Sequence, residues 1–366
     1  MDGSRNRGPL FDKMKATTSS VPNYDLVAGF RFRCRPGCGL CCYTSPAVAP
    51  EERGQLIRFD RNTPLIEASG GWAQIASRPE GGACHFLRNS RCQCHAVRPA
   101  TCGEFPLTVH VGQRVQVSLV LSCPGVELSG LIRRAEVPPF TSVSDDFHSE
   151  VEYVEQELIR ATARGQLRWA AHRRRRVERS LRQEGRWESE EEIRARLRPR
   201  LDQLIPTQLR GPDLPDGEPL ESLPLFFDDE FGRVAFRTHP GGIELFSLRE
   251  QGGIDRNLGV FAPPQRAPAL DGPARSLLKG YIQYVLERDA TVGAAYDRAH
   301  HEGDGRPGEI VVQDLAAVAA QVLRLAVIRR SLGSDRRGEL SIHDVENGIR
   351  ATDMDILDRP TTGLRL

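Results

Sequence analysis

Apolar residues recur with helical spacing in the C-terminal third of the chain, and this pattern predicts amphipathic helices there. One stripe comprises Leu277, Leu278, Tyr281, Ile282, Val285 and Leu286, and a second comprises Leu315, Val318, Ala319, Val322, Leu325 and Ala326. Steps of three and four residues place each stripe on one helix face, and the second helix should end near Gly333. Ser341 is predicted to cap a last helix that contains Val345 and Ile349.

A different period, of two residues, predicts strands. Val115, Val117, Leu119 and Leu121 alternate with polar or exposed partners, and the segment follows Leu107–Val111 across a Gly-Gln turn, which predicts a β-hairpin. Runs at 225–227, 233–237 and 242–248, separated by turn residues, predict a small antiparallel meander. Proline at position 50, followed by two acidic residues, predicts a short helix up to Phe59. The predicted fold class is therefore α+β.

Composition divides the chain into five predicted parts. They are a disordered tail (1–29), a loop-rich cysteine-cluster domain (30–135), a charged helical arm (136–205), a linker rich in Pro, Gly and Asp (206–224) and an α+β C-terminal region of unknown role (225–366). The arm should consist of one or two long surface helices, broken near Gly165 and Gly185.

Charge and hydropathy restrict the partners. The 50 basic and 49 acidic residues nearly cancel, which does not favour a nucleic-acid partner recognised by a globally basic surface, although local patches remain possible. The run Arg173 to Arg176 is interpreted as a solvated helix face, because four adjacent cations point all round a helix. No signal peptide is apparent, and the apolar stretch from Leu315 to Ile328 is too short to span a bilayer. We expect a cytoplasmic protein without a membrane partner.

All nine cysteines lie between Cys34 and Cys123. Thiolates gathered this closely bind metal or form disulfides, and a reducing cytosol and an odd number of cysteines disfavour disulfides. Sulfur is a soft donor that suits Zn²⁺ and iron–sulfur clusters, and the Cys38-Gly-Leu-Cys41 spacing lets two sulfurs converge on one ion. Cys41 and Cys42 are adjacent, so their side chains should point apart. Either each serves a different centre, or one ligates and the other is a buried or reactive thiol.

Several motifs together resemble the YkgJ-type cysteine-cluster family, whose members are described as zinc- or iron-chelating proteins. They are Cys38-Gly-Leu-Cys41-Cys42, Cys84-His-Phe-Leu87, Cys92, Arg98-Pro99-Ala-Thr-Cys102 and Phe105-Pro106, and the resemblance covers roughly residues 30–125. It implies the metal ligands Cys34, Cys38, Cys41, Cys42, Cys84, Cys92 and Cys102, and a Cys-Pro-Gly motif of some relatives adds Cys123. Cys94 is an extra thiol relative to that pattern, and His95 beside it is a further candidate ligand.

The resemblance implies metal binding without fixing the metal, so zinc, iron and a [4Fe–4S] cluster remain open as cofactors. The leading hypothesis is chelation or electron transfer with an unknown protein or redox partner. An iron–sulfur-dependent modifying enzyme, such as a protein lysine methylase, is one alternative, and no cosubstrate pocket is evident in residues 126–366. A structural zinc site that organises a protein–protein contact is another. Whether the chain is an enzyme is left open.

Overall fold

The computed structural model describes residues 22–35, 38–43, 45–80, 82–111, 114–133, 143–163, 165–209, 225–228, 230–262, 266–303, 305–332 and 338–358. Within these ranges helices and small sheets are mixed, which confirms the α+β prediction. The helices are α1 (Pro50–Phe59), α2 (Ala100–Glu104), α3 (Gly130–Arg133), α4 (His148–Ala163), α5 (Gln166–Gln183), α6 (Glu190–Leu197), α7 (Gly272–Glu287), α8 (Asp289–Glu302), α9 (Pro307–Leu332) and α10 (Ile342–Asp358).

The strands form four small sheets. They are β1 (Pro22–Asn23), β2 (Ala47–Val48), β3 (Leu65–Glu67), β4 (Ala73–Ile75), β5 (Leu87–Arg88), β6 (Arg91–Cys92), β7 (Leu107–Val111), β8 (Val115–Leu119), β9 (Leu225–Asp228), β10 (Gly232–His239), β11 (Gly242–Leu248) and β12 (Ile254–Phe261). Their orders are β1-β8-β7, β2-β4-β3, β5-β6 and β12-β11-β10-β9.

The predicted hairpin is confirmed as β7 and β8, which pair antiparallel from Leu107 opposite Leu119 to Val111 opposite Val115. The apolar residues of β8 alternate with the polar Gln116 and Ser118, and all five residues of this strand are buried. The polar face of the strand lies against the C-terminal helices, where the Gln116 amide donates to the Glu287 carbonyl oxygen at 2.9 Å and accepts from the Asp289 N–H at 2.6 Å. Hydrogen bonds thus offset the desolvation of a buried polar side chain.

The predicted tail ends earlier than residue 29. Residues 1–21 lie outside the described part of the chain, but strand β1 pairs parallel with β8, and Leu26 and Val27 are buried in the main core. Removing these two apolar side chains from water stabilises an ordered segment at this position, in contrast to a solvated tail.

Glycines end the helices of the predicted arm where the sequence indicated. Gly165 lies between α4 and α5 with φ 73°, and Gly185 follows α5 with φ 68°, a conformation that glycine adopts without strain. The helices are not peripheral, however. Val154, Val177 and Leu181 belong to one hydrophobic cluster with Leu119 of the hairpin and Tyr281 of α7. The cysteine domain, the arm and the C-terminal helices therefore share a core.

The C-terminal region contains the predicted meander and one strand more. β9, β10 and β11 pair antiparallel as expected, and β12 adds an edge strand next to β11. The predicted cap of the last helix is confirmed, since Ser341 Oγ accepts from the Asp344 N–H at 3.3 Å while the Asp344 carboxylate accepts from the Ser341 N–H at 2.8 Å. Of the predicted linker 206–224, residues 210–224 lie outside the described residues.

Helix α9 is long and apolar enough to cross a membrane by length and composition, which corrects the expectation that its apolar stretch is too short. Its Leu315, Ala319, Val322 and Ala326 side chains are nevertheless buried in the common hydrophobic cluster. Such burial is typical of the core helix of a soluble protein, and a cytoplasmic location stays a prediction.

Candidate metal centre

The first cysteine block is a loop that folds onto the end of the hairpin. The Arg33 N–H donates to the Gly125 carbonyl oxygen at 2.9 Å, so the loop begins beside the turn that contains Cys123. Cys34 is exposed, whereas Cys38 is half-buried against Leu40 and Val120.

A tight turn then places the adjacent pair. Residues Leu40–Tyr43 form a 3-10 turn that carries Cys41 and Cys42, and the Cys42 N–H donates to the Gly39 carbonyl oxygen at 2.9 Å. Gly39 has φ 59°, and a Cβ there would lie 3.2 Å from the Leu87 side chain, so both the backbone conformation and the space favour glycine.

The second block lies directly beside this turn. The Cys84 N–H donates to the Cys42 carbonyl oxygen at 2.6 Å, which joins the two blocks through the backbone. Cys92 is in β6 opposite Leu87 of β5, and Cys94 precedes a short 3-10 turn. Cys84 and Cys94 are both buried in a small cluster with Phe86 and Leu56. The two-residue turn between β5 and β6 therefore brings the segments that carry Cys84 and Cys92 side by side.

Cys102 and Cys123 come from elements that other parts of the fold hold in place. Helix α2 carries Cys102, and its Ala100 N–H donates to the Glu52 carboxylate of α1 at 3.0 Å. Cys123 is buried after β8, and the Arg350 guanidinium of α10 donates to its carbonyl oxygen at 2.6 Å.

Four thiols interact with one another. The Sγ atoms of Cys92 and Cys94 lie 3.7 Å apart, and interactions with the Cys41 and Cys92 thiols raise the pKa of Cys42. We refer to Cys41, Cys42, Cys92 and Cys94 as the thiol row. The 3-10 turn Leu40–Tyr43 places both Cys41 and Cys42 within range of an interaction with Cys92 of β6.

The contacts divide the row into donors and acceptors. Hydrogen bonds from the thiols of Cys42 and then Cys94 lower the pKa of Cys92 to about 3, and a hydrogen bond from Cys42 lowers the pKa of Cys41. The same bonds raise the pKa of Cys42 and of Cys94, which supply the protons. A thiolate is the form that binds a metal, so the row already favours two ligands in that form.

The remaining thiols surround the row with higher pKa values. Burial raises the pKa of Cys84 and of Cys38 to about 11 and that of Cys123 to about 12. Burial also raises the pKa of Cys102, and nearby charge on Cys41, Cys84 and Cys92 raises it further, so this thiol faces the row. Cys34 interacts electrostatically with Cys41 from the exposed side.

The donor set suits zinc or iron, although the thiols are not yet arranged around one point. All nine cysteines are free thiols, and the 3.7 Å separation of Cys92 and Cys94 is far longer than a disulfide bond. A tetrahedral Zn²⁺ site with Zn–S bonds of about 2.3 Å has S···S edges of about 3.8 Å, close to that separation. In the described part of the chain, no group of three or more His, Cys, Asp and Glu side chains is positioned to hold an ion. Rotation about χ1 would have to complete a site.

The nearby histidines are engaged elsewhere. The Arg98 guanidinium donates to His95 Nε2 at 2.9 Å and stacks 5.2 Å above the centre of the Tyr153 ring. Arg98 thus fixes this histidine, and its charge contributes to lowering the pKa of Cys41. His85 Nε2 lies 2.8 Å from the Asp60 carboxylate.

The C-terminal sheet contacts the cysteine domain directly. The Glu250 carboxylate, in the turn between β11 and β12, accepts from the N–H groups of Asn89 at 3.1 Å and Ser90 at 2.8 Å. Both residues have positive φ in the turn that joins β5 to β6. On the other side, the buried Arg233 guanidinium lies 3.6 Å from the centre of the Tyr43 ring, next to Cys42. The sheet thereby fixes two of the turns that carry thiol-row residues.

The eight cysteines proposed from the sequence thus fall into two groups. Cys41, Cys42, Cys84, Cys92 and Cys102 come together around β6, whereas Cys34, Cys38 and Cys123 lie on the side toward the hairpin. Cys94, which resemblance alone leaves out, is in contact with Cys92. In the sequence, a single residue separates Cys94 from Cys92, and this close spacing is the feature that indicates Cys94 as a member of the cluster.

Comparison with protein families identifies the same segment of the chain. Residues 33–124 match the model of the CxxCxxCC family, described as a putative zinc- or iron-chelating domain, which confirms the resemblance to a cysteine-cluster family. The match covers about a quarter of the chain, and its ends coincide with the loop before Cys34 and the turn after Cys123. The comparisons with curated proteins and with solved structures found no match.

Proposed function

We propose that residues 33–124, a zinc- or iron-chelating domain of the CxxCxxCC kind, hold one metal ion through thiolates of the thiol row. The observation that supports this proposal is the proximity of four thiols: Cys92 and Cys94 lie 3.7 Å apart, and Cys42 interacts with both Cys41 and Cys92. These residues come from two separate stretches of chain, so the ion would cross-link them. Cys84 and Cys102 would surround this ion, and each could replace a member of the row.

The exposure of the thiols supports reversible chelation. Cys34 is exposed, Cys41 and Cys42 are half-buried, and Cys84 and Cys94 are buried. Because the exposure of these thiols decreases in this order, an incoming ion would meet a first thiol at the surface and further thiols inside the domain. Cys34 would then act in ion entry, and the more buried Cys38 and Cys123 would not be permanent ligands.

When bound, zinc or iron would supply a fixed positive charge that stabilises thiolates in a buried setting. The protein contributes the positions of those thiolates, because Glu250 holds the β5–β6 turn and Gly39 permits the close approach of Leu87. Arg98 adds positive charge beside Cys41.

The proposal is tested by metal analysis of the full chain purified without oxygen, with zinc, iron and acid-labile sulfide measured per chain. We expect about one zinc or iron ion per chain and binding that requires Cys42 and Cys92. Replacing either with serine should weaken affinity more than about 100-fold, beyond the 10- to 100-fold typical of losing an outer partner of a metal ligand.

Cys34→Ser is the matched control, since this exposed thiol should affect the rate of uptake and leave the final stoichiometry unchanged. Cys94→Ser distinguishes the thiol row, which includes Cys94, from the ligand set implied by the family resemblance, which does not. Loss of metal in this variant supports the thiol row, and full retention contradicts it. A visible absorption band with stoichiometric sulfide would instead indicate an iron–sulfur cluster and favour electron transfer.

A further inference from the structure

Helix α5 carries a basic face that the metal centre does not use. The side of this helix that faces the core is formed by Ala170, Arg174, Val177 and Leu181, all buried. Each residue advances about 100° around the helix axis. On the opposite side, within an arc of about 100°, lie Arg168, Arg175, Arg176 and Arg179. All four are exposed, and His172 is exposed between them. We refer to these four arginines as the basic face.

The basic face differs from the Arg173–Arg176 run that stands out in the sequence. Arg173 donates to the Asp297 carboxylate of α8 at 2.7 Å. Arg174 is buried, donates to Glu190 at 2.8 Å and lies 4.1 Å from the centre of the Tyr296 ring. Arg173 and Arg174 therefore contact other parts of the protein, whereas Arg175 and Arg176 belong to the basic face.

The charges of the basic face are available to a partner. In the part of the chain that the structure describes, Arg168, Arg176 and Arg179 make no ion pair. Arg175 donates from Nε to the Ala171 carbonyl oxygen of its own helix at 3.2 Å, which leaves its terminal nitrogens free. The neighbouring carboxylate, Glu178, accepts from Arg182 at 2.9 Å. The four cations of the basic face therefore repel one another, and a ligand with several negative charges would relieve this repulsion.

An exposed aromatic ring lies at the edge of this surface. Trp169 is 53 % exposed, the largest value for an aromatic side chain among the exposed hydrophobic residues described. The Arg173 guanidinium lies 5.7 Å from the centre of its ring and holds one side of it. An indole face open to solvent beside several guanidinium groups is the combination that binds an unpaired base next to its phosphates.

The apolar side of α5 excludes a membrane as the favoured partner. A helix that lies on a bilayer needs a free apolar face, but Val177 and Leu181 are buried in the hydrophobic core.

From Arg168 to Arg179 the helix rises about 17 Å, which equals the length of about five phosphates of one stacked strand at about 3.4 Å each. We propose that the basic face and Trp169 bind single-stranded nucleic acid, with arginines on phosphates and the indole stacked on a base.

The test measures binding of the full chain to a fluorescently labelled 20-nucleotide thymidine oligomer by anisotropy at several salt concentrations. Four phosphate contacts predict a slope of log K against log salt of about −2.8, since single strands give about −0.7 per contact. Replacing Arg168, Arg175, Arg176 and Arg179 with glutamine should bring the slope close to zero and weaken binding at low salt at least about tenfold. The matched control removes four exposed arginines elsewhere, Arg58, Arg61, Arg249 and Arg256, and should bind as the wild type does.

Trp169→Ala tests the stacking separately. It should weaken binding at least about fivefold with an unchanged salt slope, and Trp169→Phe should recover part of the loss. Circular dichroism melting curves equal to that of the wild type show that each variant is folded. The proposal is overturned if the glutamine variant binds like its control, or if a duplex binds as well as the single strand with no effect of Trp169→Ala. Binding to phosphatidylserine vesicles in place of the oligomer also overturns it.

Discussion

Removal of the Asp353 carboxylate tests how the C-terminal helices support the metal domain. This side chain of α10 is fully buried and accepts hydrogen bonds from Tyr281 Oη at 3.0 Å and from the Arg288 guanidinium at 2.9 and 3.1 Å. It also accepts from the Leu121 N–H at 2.6 Å, two residues before Cys123. One carboxylate thus connects two helices to the end of the β7–β8 hairpin.

The expected loss follows from the charge that the substitution leaves behind. Asp353→Ala deprives a buried guanidinium of its counter-charge, which costs about 3–5 kcal/mol. An unfolding entropy of about 2.1 cal/mol/K per residue over 366 residues gives about 0.77 kcal/mol/K, so Tm should fall by about 4–6.5 °C. Tyr281→Phe removes one hydrogen bond to this carboxylate, worth about 1.5–3 kcal/mol, and should lower Tm by about 2–4 °C.

Differential scanning calorimetry at fixed metal content measures both values. The double variant Arg288→Met with Asp353→Leu should be more stable than the sum of its two single variants predicts, because it leaves no unpaired charge. A Tm for Asp353→Ala within 1 °C of the wild type, or strictly additive single effects, would refute this reasoning.

Two further substitutions test the supports of the thiols. Glu250→Ala removes the acceptor of two turn N–H groups between β5 and β6, so metal affinity measured with a chromophoric chelator should fall about 10- to 100-fold. Glu244→Ala, on the same sheet but bonded to Arg237, is its control and should leave the affinity unchanged. Gly103→Ala, adjacent to Cys102, places a Cβ 2.4 Å from the Tyr153 ring, so thermal melting should show a loss of about 1–3 kcal/mol. Replacing Tyr153 with leucine in the same chain should restore part of it, and an unaltered Gly103→Ala melting curve would contradict the contact.

Local patterns predicted the elements that are built from local interactions. Pro50 begins α1 as its acidic first turn indicated, and Ser341 caps α10. Helix α8 and strand β12 were not predicted, because α8 has no apolar stripe as clear as that of α7 and β12 is an exposed edge strand. Their positions depend on partners that are distant in sequence.

The candidate site shows the same limit. The spacing of Cys38 and Cys41 and the family resemblance identified the cysteine segment, and the family comparison confirms it. Which thiols touch depends on a 3-10 turn at Leu40–Tyr43 and on the β5–β6 turn held by Glu250. Cys42 and Cys92 are about 50 positions apart, and Glu250 is about 160 positions from Ser90. Local sequence patterns carry no information about pairs this distant, so the approach of Cys42 to Cys92 could not be deduced.

The hydrophobic cluster that joins Leu119, Val177 and Tyr281 has a practical consequence. A fragment cut at the borders of the family match would lose the helices that cover β8, and it would expose an apolar surface prone to aggregation. Expression trials on the cysteine segment should therefore retain the chain through α10. Over evolutionary time, the same dependence would hinder transfer of this segment alone into an unrelated protein by gene fusion.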